Sequence, residues 1–178
     1  MGDAYNIWYI ANKKYCLEVL MFKGKQIRGF YGSEISYEYF LEKMKEYNSE
    51  GFDAYIGTDS QVIKGKVSVV TCVCLYKFGA KKNEIFYVKE RIPSERLPTL
   101  RSRMLHEAYK SLELAIEVDP LIDGKLTVHL DIGTDPKRCK TARFQKELQV
   151  LVRSQGYGCE VKPYSWASSS IADMFTKT

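Results

Sequence analysis

The chain has 178 residues, a length that suits one domain with a hydrophobic core of its own. Hydrophobic residues make up 45% and charged residues 28% of the sequence, which excludes a disordered chain and is typical of soluble globular proteins. No run approaches the roughly 18 apolar residues of a membrane span, and the amino terminus lacks the order of a secretion signal, so we expect a cytoplasmic protein. The net charge of +5 permits a nucleic-acid partner without indicating one.

Residues 1–50 are predicted to form an extension that packs on a main domain at residues 51–178. Aromatic and β-branched residues surround the turn-like Lys23-Gly24-Lys25, and this pattern predicts a hairpin within residues 5–31. Residues 35–47 have the apolar spacing of a short helix.

The main domain is predicted to contain three strands followed by alternating helices and strands. Turn signals separate strands at 54–59, 66–78 and 83–91, which would form an antiparallel meander. Proline and glycine signals then bound a helix at 99–118, a strand at 126–131, a helix at 141–155, a strand at 159–162 and a last helix that begins near 168–170. This order predicts a mixed α/β sheet with helices on its faces, the first strand central and the fourth beside it.

Five cysteines without a Cys-x-x-Cys spacing and only two histidines do not form a zinc-binding pattern. Cys72 and Cys74 lie in an apolar run and are predicted to be small hydrophobic residues on one strand face. The other three cysteines are Cys16, Cys139 and Cys159.

Two aspartates follow apolar strand residues in the predicted sheet. Asp59 ends the strand in AYIGTDSQ, and Asp131 ends the one in LTVHLDIG. A single aspartate at a strand end is more often a turn former or a helix cap than a catalyst. Because these two strands are predicted to be neighbours, however, their carboxylates would repel each other by several kcal/mol at an effective dielectric of ~20 unless a proton or cation lay between them. Mg²⁺ and Mn²⁺ prefer such oxygen ligands, so the pattern indicates a divalent-metal site.

Helical geometry selects one glutamate of the long helix as a further candidate. At about 100° per residue, Glu107 lies at the border of the apolar stripe, while Glu113 and Glu117 point toward solvent. The alternative for Glu107 is a surface ion pair with Arg103, one helical turn away. The stripe itself is predicted to contain Met104, Leu105, Ala108, Leu112 and Ala115.

Asp173 and the two histidines each have competing interpretations. Asp173 lies in the first turns of the last helix, where the helix dipole favours a carboxylate, but that helix can also return to the edge that holds Asp59 and Asp131. His129 shares a strand face with Asp131 and is predicted to be a hydrogen-bonded core residue. His106 falls on the solvent side of its helix, and we assign it no role.

A basic stretch follows Asp131 and is either a phosphate-binding surface or an ordinary solvated face. It contains Lys137, Arg138, Lys140, Arg143 and Lys146. Ser60, Gln61 and Asn83 are further donors available to a nucleic acid.

The order of elements, together with the acids in GTDSQ, LHEAYKS, VHLDIG and SIADMFTK, resembles the ribonuclease H-like superfamily and, more narrowly, its YkuK-type family. The resemblance covers residues 53–177. It implies a mixed five-stranded sheet with strand order 3-2-1-4-5 and an antiparallel second strand. It also implies metal-dependent cleavage of phosphodiester bonds by four acids, which here are Asp59, Glu107, Asp131 and Asp173.

The function predicted on this basis is nucleic-acid hydrolysis with Mg²⁺ or Mn²⁺, in which Asp59 and Asp131 bridge two ions while Glu107 and Asp173 each hold one. RNA, DNA, a hybrid and a branched substrate all stay open, because a fold does not fix a substrate. The alternatives are a non-catalytic nucleic-acid-binding or scaffold domain and a phosphatase acting on small phosphoesters. The predicted substrate-binding residues are Ser60, Gln61, Lys140, Arg143 and Lys162.

Overall fold

A computed structural model describes residues 20–177, which form a mixed sheet of seven strands with helical segments on both faces. The strands are β1 (Ile27–Gly29), β2 (Glu34–Ile35), β3 (Asp53–Ile63), β4 (Lys66–Tyr76), β5 (Glu84–Pro93), β6 (Leu126–Leu130) and β7 (Gly158–Val161). The helices are α1 (Tyr37–Ser49), α2 (Leu100–Val118), α3 (Gln145–Arg153) and α4 (Asp173–Thr176). In this described part of the chain, no helix has the length and apolar character needed to cross a membrane.

The strand order is β2-β1-β5-β4-β3-β6-β7. Strands β3 to β7 are the five predicted strands, and they lie in the predicted order 3-2-1-4-5, with β4 antiparallel to β3 and β6 parallel to it. The predicted count of five strands is wrong, because β1 and β2 extend the sheet beyond β5. These strands have only three and two residues, too few to show the alternation by which a strand is recognised in a sequence.

The predicted amino-terminal hairpin is only partly covered by the described residues. Residues 5–19 of the predicted hairpin lie outside the described residues. Lys23 and Gly24 do form a turn, which the Lys25 amide closes by donating to the Phe22 carbonyl at 3.1 Å. Within the described residues, a hairpin pairing near this turn is found between β1 and β2, on either side of residues 30–33. The predicted helix at 35–47 is confirmed as α1, where the Ser36 side chain caps the first turn by accepting from the Tyr39 amide.

Helices α1, α2 and α3 contribute to one hydrophobic core on one face of the sheet. Helix α2 begins after Thr99, which forms a capping box with Ser102, and its predicted apolar stripe is confirmed. The prediction that Glu117 points to solvent is wrong, because the segment before β1 covers that end of α2. The Phe22 amide donates to Glu117 Oε2 at 2.9 Å, and only 5% of Glu117 is exposed.

The carboxyl-terminal segment covers the opposite face of the sheet. A π-helical turn at Ala167–Ala172 leads into α4, and together they bury a second apolar cluster that includes Cys72, Cys74 and Phe175. The two cysteines are buried with their Sγ atoms 4.0 Å apart, which confirms that they occupy one strand face. Gly57 permits this close approach, since a Cβ there would lie 2.4 Å from the Ser168 backbone nitrogen.

Candidate functional site

Asp59 and Asp131 meet where β6 stops alongside β3. The prediction that Asp59 ends its strand is wrong, because β3 continues to Ile63 while paired with β4. On its other side β3 pairs with β6 only as far as Thr58 and Leu130, so Asp59 is the first β3 residue beyond that pairing and Asp131 directly follows β6. The step between a long strand and a short one therefore brings the two aspartates together, as the predicted neighbouring strands require.

Helix α4 returns to this step and contributes Asp173. Thr176 Oγ1 donates to Asp59 Oδ2 at 3.2 Å and also to the Asp173 carbonyl at 2.8 Å. The negative charge of Asp173 is close enough to raise the pKa of Asp59. The last helix therefore returns to the edge that holds Asp59 and Asp131, which is the second of the two interpretations given for Asp173 from the sequence.

Glu107 approaches from α2, on the other face of the sheet. Ser60 Oγ donates to Glu107 Oε1 at 2.5 Å, and one helical turn away Thr58 and Ser111 share a hydrogen bond of 2.8 Å between their hydroxyl oxygens. Only 4% of Glu107 is exposed, and within residues 20–177 it forms no ion pair with Arg103. The alternative interpretation of Glu107 as a surface ion pair is therefore wrong, because the side chain is turned into the domain.

Burial and neighbouring negative charges raise the pKa values of Asp59 and Glu107. Burial, then the charges of Asp131 and Asp173, raise the pKa of Asp59 to about 6, against the hydrogen bonds from Thr176 and the Ser60 backbone. Burial also raises the pKa of Glu107 well above its usual value, and the charges of Asp59 and Asp131 add to this effect while the Ser60 hydroxyl opposes it. Asp59 and Glu107 thus sense the charges of neighbouring acids, and a proton or a cation among these carboxylates would lower the free energy of the site.

Two lysines neutralise the outer acids. Lys162 Nζ lies 2.6 Å from Asp131 Oδ1, and Lys177 Nζ lies 2.6 Å from Asp173 Oδ2. Across the described residues, no three His, Cys, Asp or Glu side chains are gathered closely enough to hold a metal ion. If the two lysine side chains turned away, the carboxylate oxygens of Asp59, Glu107, Asp131 and Asp173 would be ligands of the kind that Mg²⁺ or Mn²⁺ prefers.

The predicted substrate-binding residues occupy different surroundings. Ser60 is engaged with Glu107, and Lys162 with Asp131. Gln61 is half-buried next to Ser60 on β3, whereas Lys140 and Arg143 are exposed on the segment that leads from Asp131 to α3.

Asn83 lies at the wrong end of the sheet for a role in this site. It belongs to the turn between β4 and β5, where its Oδ1 accepts from the Lys77 amide at 3.3 Å. That turn follows Tyr76, which pairs with Asp53, six residues before Asp59 on β3. At the rise of a β-strand the separation is about 20 Å, so Asn83 is not a donor to a substrate held at Asp59.

The two histidines do not take part in the acid cluster. His129 is buried, its Nδ1 accepts from the Ala167 amide at 3.1 Å, and burial followed by the charge of Lys125 lowers its pKa to about 4. This confirms the predicted core histidine, which here fixes the start of the carboxyl-terminal segment. His106 is half-buried rather than solvent-facing, and burial followed by the charge of Lys110 lowers its pKa.

Thr176 and Lys177 are the contacts that sequence reasoning missed. They follow Asp173 by three and four residues, the helical spacing at which side chains meet, so the signal was present in SIADMFTK. The uncertain start of the last helix concealed it.

Comparison with known proteins shows the family of the chain. The family model described as Ribonuclease H-like matches residues 36–177, and the chain therefore belongs to the ribonuclease H-like family. The chain is also similar to the uncharacterized protein YkuK of Bacillus subtilis (strain 168), with 25% identity over 168 aligned residues that cover 82% of this chain and 93% of the relative. Both findings confirm the resemblance drawn from the sequence. No solved structure matches the chain at a significant level.

Proposed function

We propose that this protein is a nuclease that hydrolyses phosphodiester bonds of nucleic acid with Mg²⁺ or Mn²⁺. The observation that carries the proposal is the burial of Asp59 and Glu107, with raised pKa values, beside Asp131 and Asp173. A fold gains no stability by gathering like charges, so such a cluster favours a role in binding a cation or transferring a proton. The ribonuclease H-like fold, which is often that of a nuclease, supports the same conclusion.

In the proposed site, Asp59 and Asp131 would serve as ligands to two ions, and Glu107 and Asp173 would hold one each. Bound Mg²⁺ or Mn²⁺ would polarise a phosphoryl oxygen and lower the pKa of a water molecule. The protein's own part is to orient the ligands. Thr176 fixes one carboxylate oxygen of Asp59, and Ser60 fixes one of Glu107, so that both side chains are held before a substrate arrives.

Lys162 and Lys177 have a second task in this proposal. Both ammonium groups lie at the rim of the acid cluster and are about half exposed, so they can turn from a carboxylate to a phosphate without unfolding any element. A phosphate that binds these lysines frees Asp131 and Asp173 to act as ligands.

We expect the protein to work in the cytoplasm, because the four cysteines of the described part are free thiols, namely Cys72, Cys74, Cys139 and Cys159.

A non-catalytic nucleic-acid-binding or scaffold domain is the second candidate. The two lysine–aspartate ion pairs favour it, since an ammonium group at Asp131 and another at Asp173 can neutralise the site permanently. In that case the acids would be a structural network, and added metal would produce no turnover.

Cleavage assays with a panel of substrates distinguish the two candidates. The panel contains single-stranded RNA and DNA, both duplexes, an RNA/DNA hybrid and a branched junction, each tested with Mg²⁺, Mn²⁺ or EDTA. We expect metal-dependent cleavage of at least one member and a loss of at least about 100-fold in the Asp59→Asn variant. Asp119→Asn, at an exposed aspartate after α2, is the matched control and should keep full activity.

The melting temperature of the variant separates lost chemistry from lost folding. Because repulsion and burial raise the pKa of Asp59, we expect the neutral asparagine to melt no lower than wild type. Absence of cleavage of every panel member, with binding retained, would move the assignment to the binding domain.

A further inference from the structure

A groove lined mainly by cations opens on the face of the sheet that holds Asp59. Its volume is about 460 Å³, and its wall contains Lys64, Lys66, Ser68, Lys89, Arg91 and Lys177. With Ile63, seven side chains line the groove, of which five are basic and none is acidic. The basic residues following Asp131, which the sequence suggested for phosphate contacts, are not part of it.

The register of the sheet places this groove beside the acid cluster. Asp59 lies opposite Val70, which lies opposite Lys89 on β5. Two residues further along, Gln61 lies opposite Ser68, which lies opposite Arg91. Residues two apart on a strand point to the same face, so Lys89 lies in the row of Asp59, and Ser68 and Arg91 lie in a row about 7 Å further along the strands.

The cations of the groove are crowded, and all of them except Lys177 lack an ion pair with an acidic side chain among the described residues. Lys89 Nζ donates to the Phe175 carbonyl at 2.9 Å, and burial followed by the charges of Arg91 and Arg28 lowers its pKa. Between residues 20 and 177, no carboxylate forms an ion pair with Lys64, Lys66 or Arg91. Like charges held together without counter-charges attract a polyanion.

Ser68 provides an independent sign of a ligand. The residue is 96% buried, since only 4% of its surface is exposed, and its Oγ has no hydrogen-bond partner among the described residues. Oε1 of Gln61, which lies opposite Ser68 on β3, likewise has no hydrogen-bond partner among the described residues. A hydroxyl in the wall of a basic groove is suited to donate to a phosphate oxygen, which would satisfy it.

We propose that this groove binds backbone phosphates of a nucleic-acid strand whose adjoining phosphodiester lies at the acid cluster. The direction of the strand rests on the function proposed above, whereas the binding itself does not. Lys177 stands at the junction, because it lines the groove and also pairs with Asp173. An anionic membrane surface is the other polyanion that the charges would attract, and the experiment below separates the two.

Binding measured without turnover tests the proposal. Fluorescence anisotropy in EDTA follows a labelled single strand and a labelled duplex bound to full-length protein with two exposed groove cations replaced, Lys66→Gln and Arg91→Gln. We expect Kd to rise about tenfold for every sequence and the salt dependence of log Kd to weaken by about 0.7–0.9 per lost phosphate contact. The matched control is Lys81→Gln with Lys82→Gln, exposed in the turn between β4 and β5 at the far end of the sheet, and it should bind as wild type does.

A second variant, Ser68→Ala, tests the buried hydroxyl. It should weaken binding severalfold without lowering the melting temperature, because the Ser68 hydroxyl has no partner in the described protein to lose. Unchanged Kd and salt slope in the double variant would overturn the proposal. The proposal would also be overturned if the double variant lost binding to phosphatidylserine vesicles while it bound oligonucleotides as wild type does.

The two proposals can fail separately. If the groove variants lose binding but wild type cleaves nothing, the groove stands and the nuclease assignment falls. If wild type cleaves and the groove variants bind and cleave normally, the nuclease assignment stands and the groove falls.

Discussion

Replacing Gly57 by alanine tests how the carboxyl-terminal segment is held on the sheet. The new Cβ would lie 2.4 Å from the Ser168 nitrogen and 2.6 Å from the Ala167 carbonyl carbon. Both contacts are backbone atoms, so no side-chain rotation relieves them. Ordinary contact begins near 3.4 Å, and the segment that carries Asp173 must therefore retreat by about 1 Å.

This retreat has two measurable consequences. Overpacking of this kind costs about 1–3 kcal/mol, which lowers the melting temperature of a domain of this size by about 2–12 °C. Displacing Asp173 and Thr176 from Asp59 by about 1 Å should also lower the rate of nucleic-acid cleavage, the activity proposed above, by about 100-fold. Thermal unfolding and the cleavage assay measure the two effects on the same preparation.

Gly29→Ala in β1 is the matched control. Its added Cβ would lie 3.2 Å from Ser33 Oγ and 3.7 Å from an Ile35 side-chain carbon, which can move aside. We expect its melting temperature and activity to stay near those of wild type. If Gly57→Ala behaved like this control, the close approach of strand β3 and the last helical segment would not hold as described.

Three further predictions concern the contacts of the acids. Thr176→Val removes the hydroxyl that orients Asp59 and should lower cleavage about 10-fold to 100-fold, whereas Thr176→Ser should largely keep it; equal activities would deny Thr176 this role. Lys162→Met removes the ammonium that competes for Asp131, so the Mg²⁺ concentration at which the protein gains thermal stability should fall severalfold, and a rise would show that Lys162 assists metal binding. Burial raises the pKa of Glu117 above its usual value near 4.5, so the folded protein holds this proton more tightly than the unfolded chain does. The resulting stabilisation is fully present below the usual pKa and is lost as the pH rises through the pKa of the folded protein. Urea unfolding should therefore show Glu117→Gln gaining stability relative to wild type as pH rises from about 4 to 7, and a constant difference would contradict the raised pKa.

Strand order and the main acids could be predicted because they depend on local signals and on few topological rules. In both β3 and β6, an aspartate follows a run of mainly apolar strand residues, which is a local signal. Right-handed crossovers then leave few possible arrangements for five strands. Helical periodicity identified Glu107 correctly as the glutamate of α2 that faces the sheet. It failed for Glu117 because what covers the far end of α2 is a segment about 95 residues away in sequence, which no local pattern reveals.

The groove could not be predicted for a related reason. Its cations come from three separate parts of the chain, and only the pairing of β3, β4 and β5 brings Ser68 and Arg91 to one row. In the sequence the groove cations cannot be distinguished from ordinary polar residues at strand ends. The basic run after Asp131, by contrast, is recognised from its composition alone. Exposure and counter-charges, rather than the number of basic residues in a window, identify a phosphate-binding surface.

Lys177 connects the two surfaces in a way that bears on how the site would open. Its ammonium group neutralises Asp173 at 2.6 Å and at the same time lines the groove. A phosphate bound in the groove draws that charge toward itself and weakens its hold on Asp173. The carboxylate thereby released stands next to Asp59, whose pKa is raised by burial first and then by the charges of Asp131 and Asp173. Removing a cation from this pair increases the repulsion and hence the affinity of the site for a divalent ion, so substrate and metal should bind cooperatively through this one lysine.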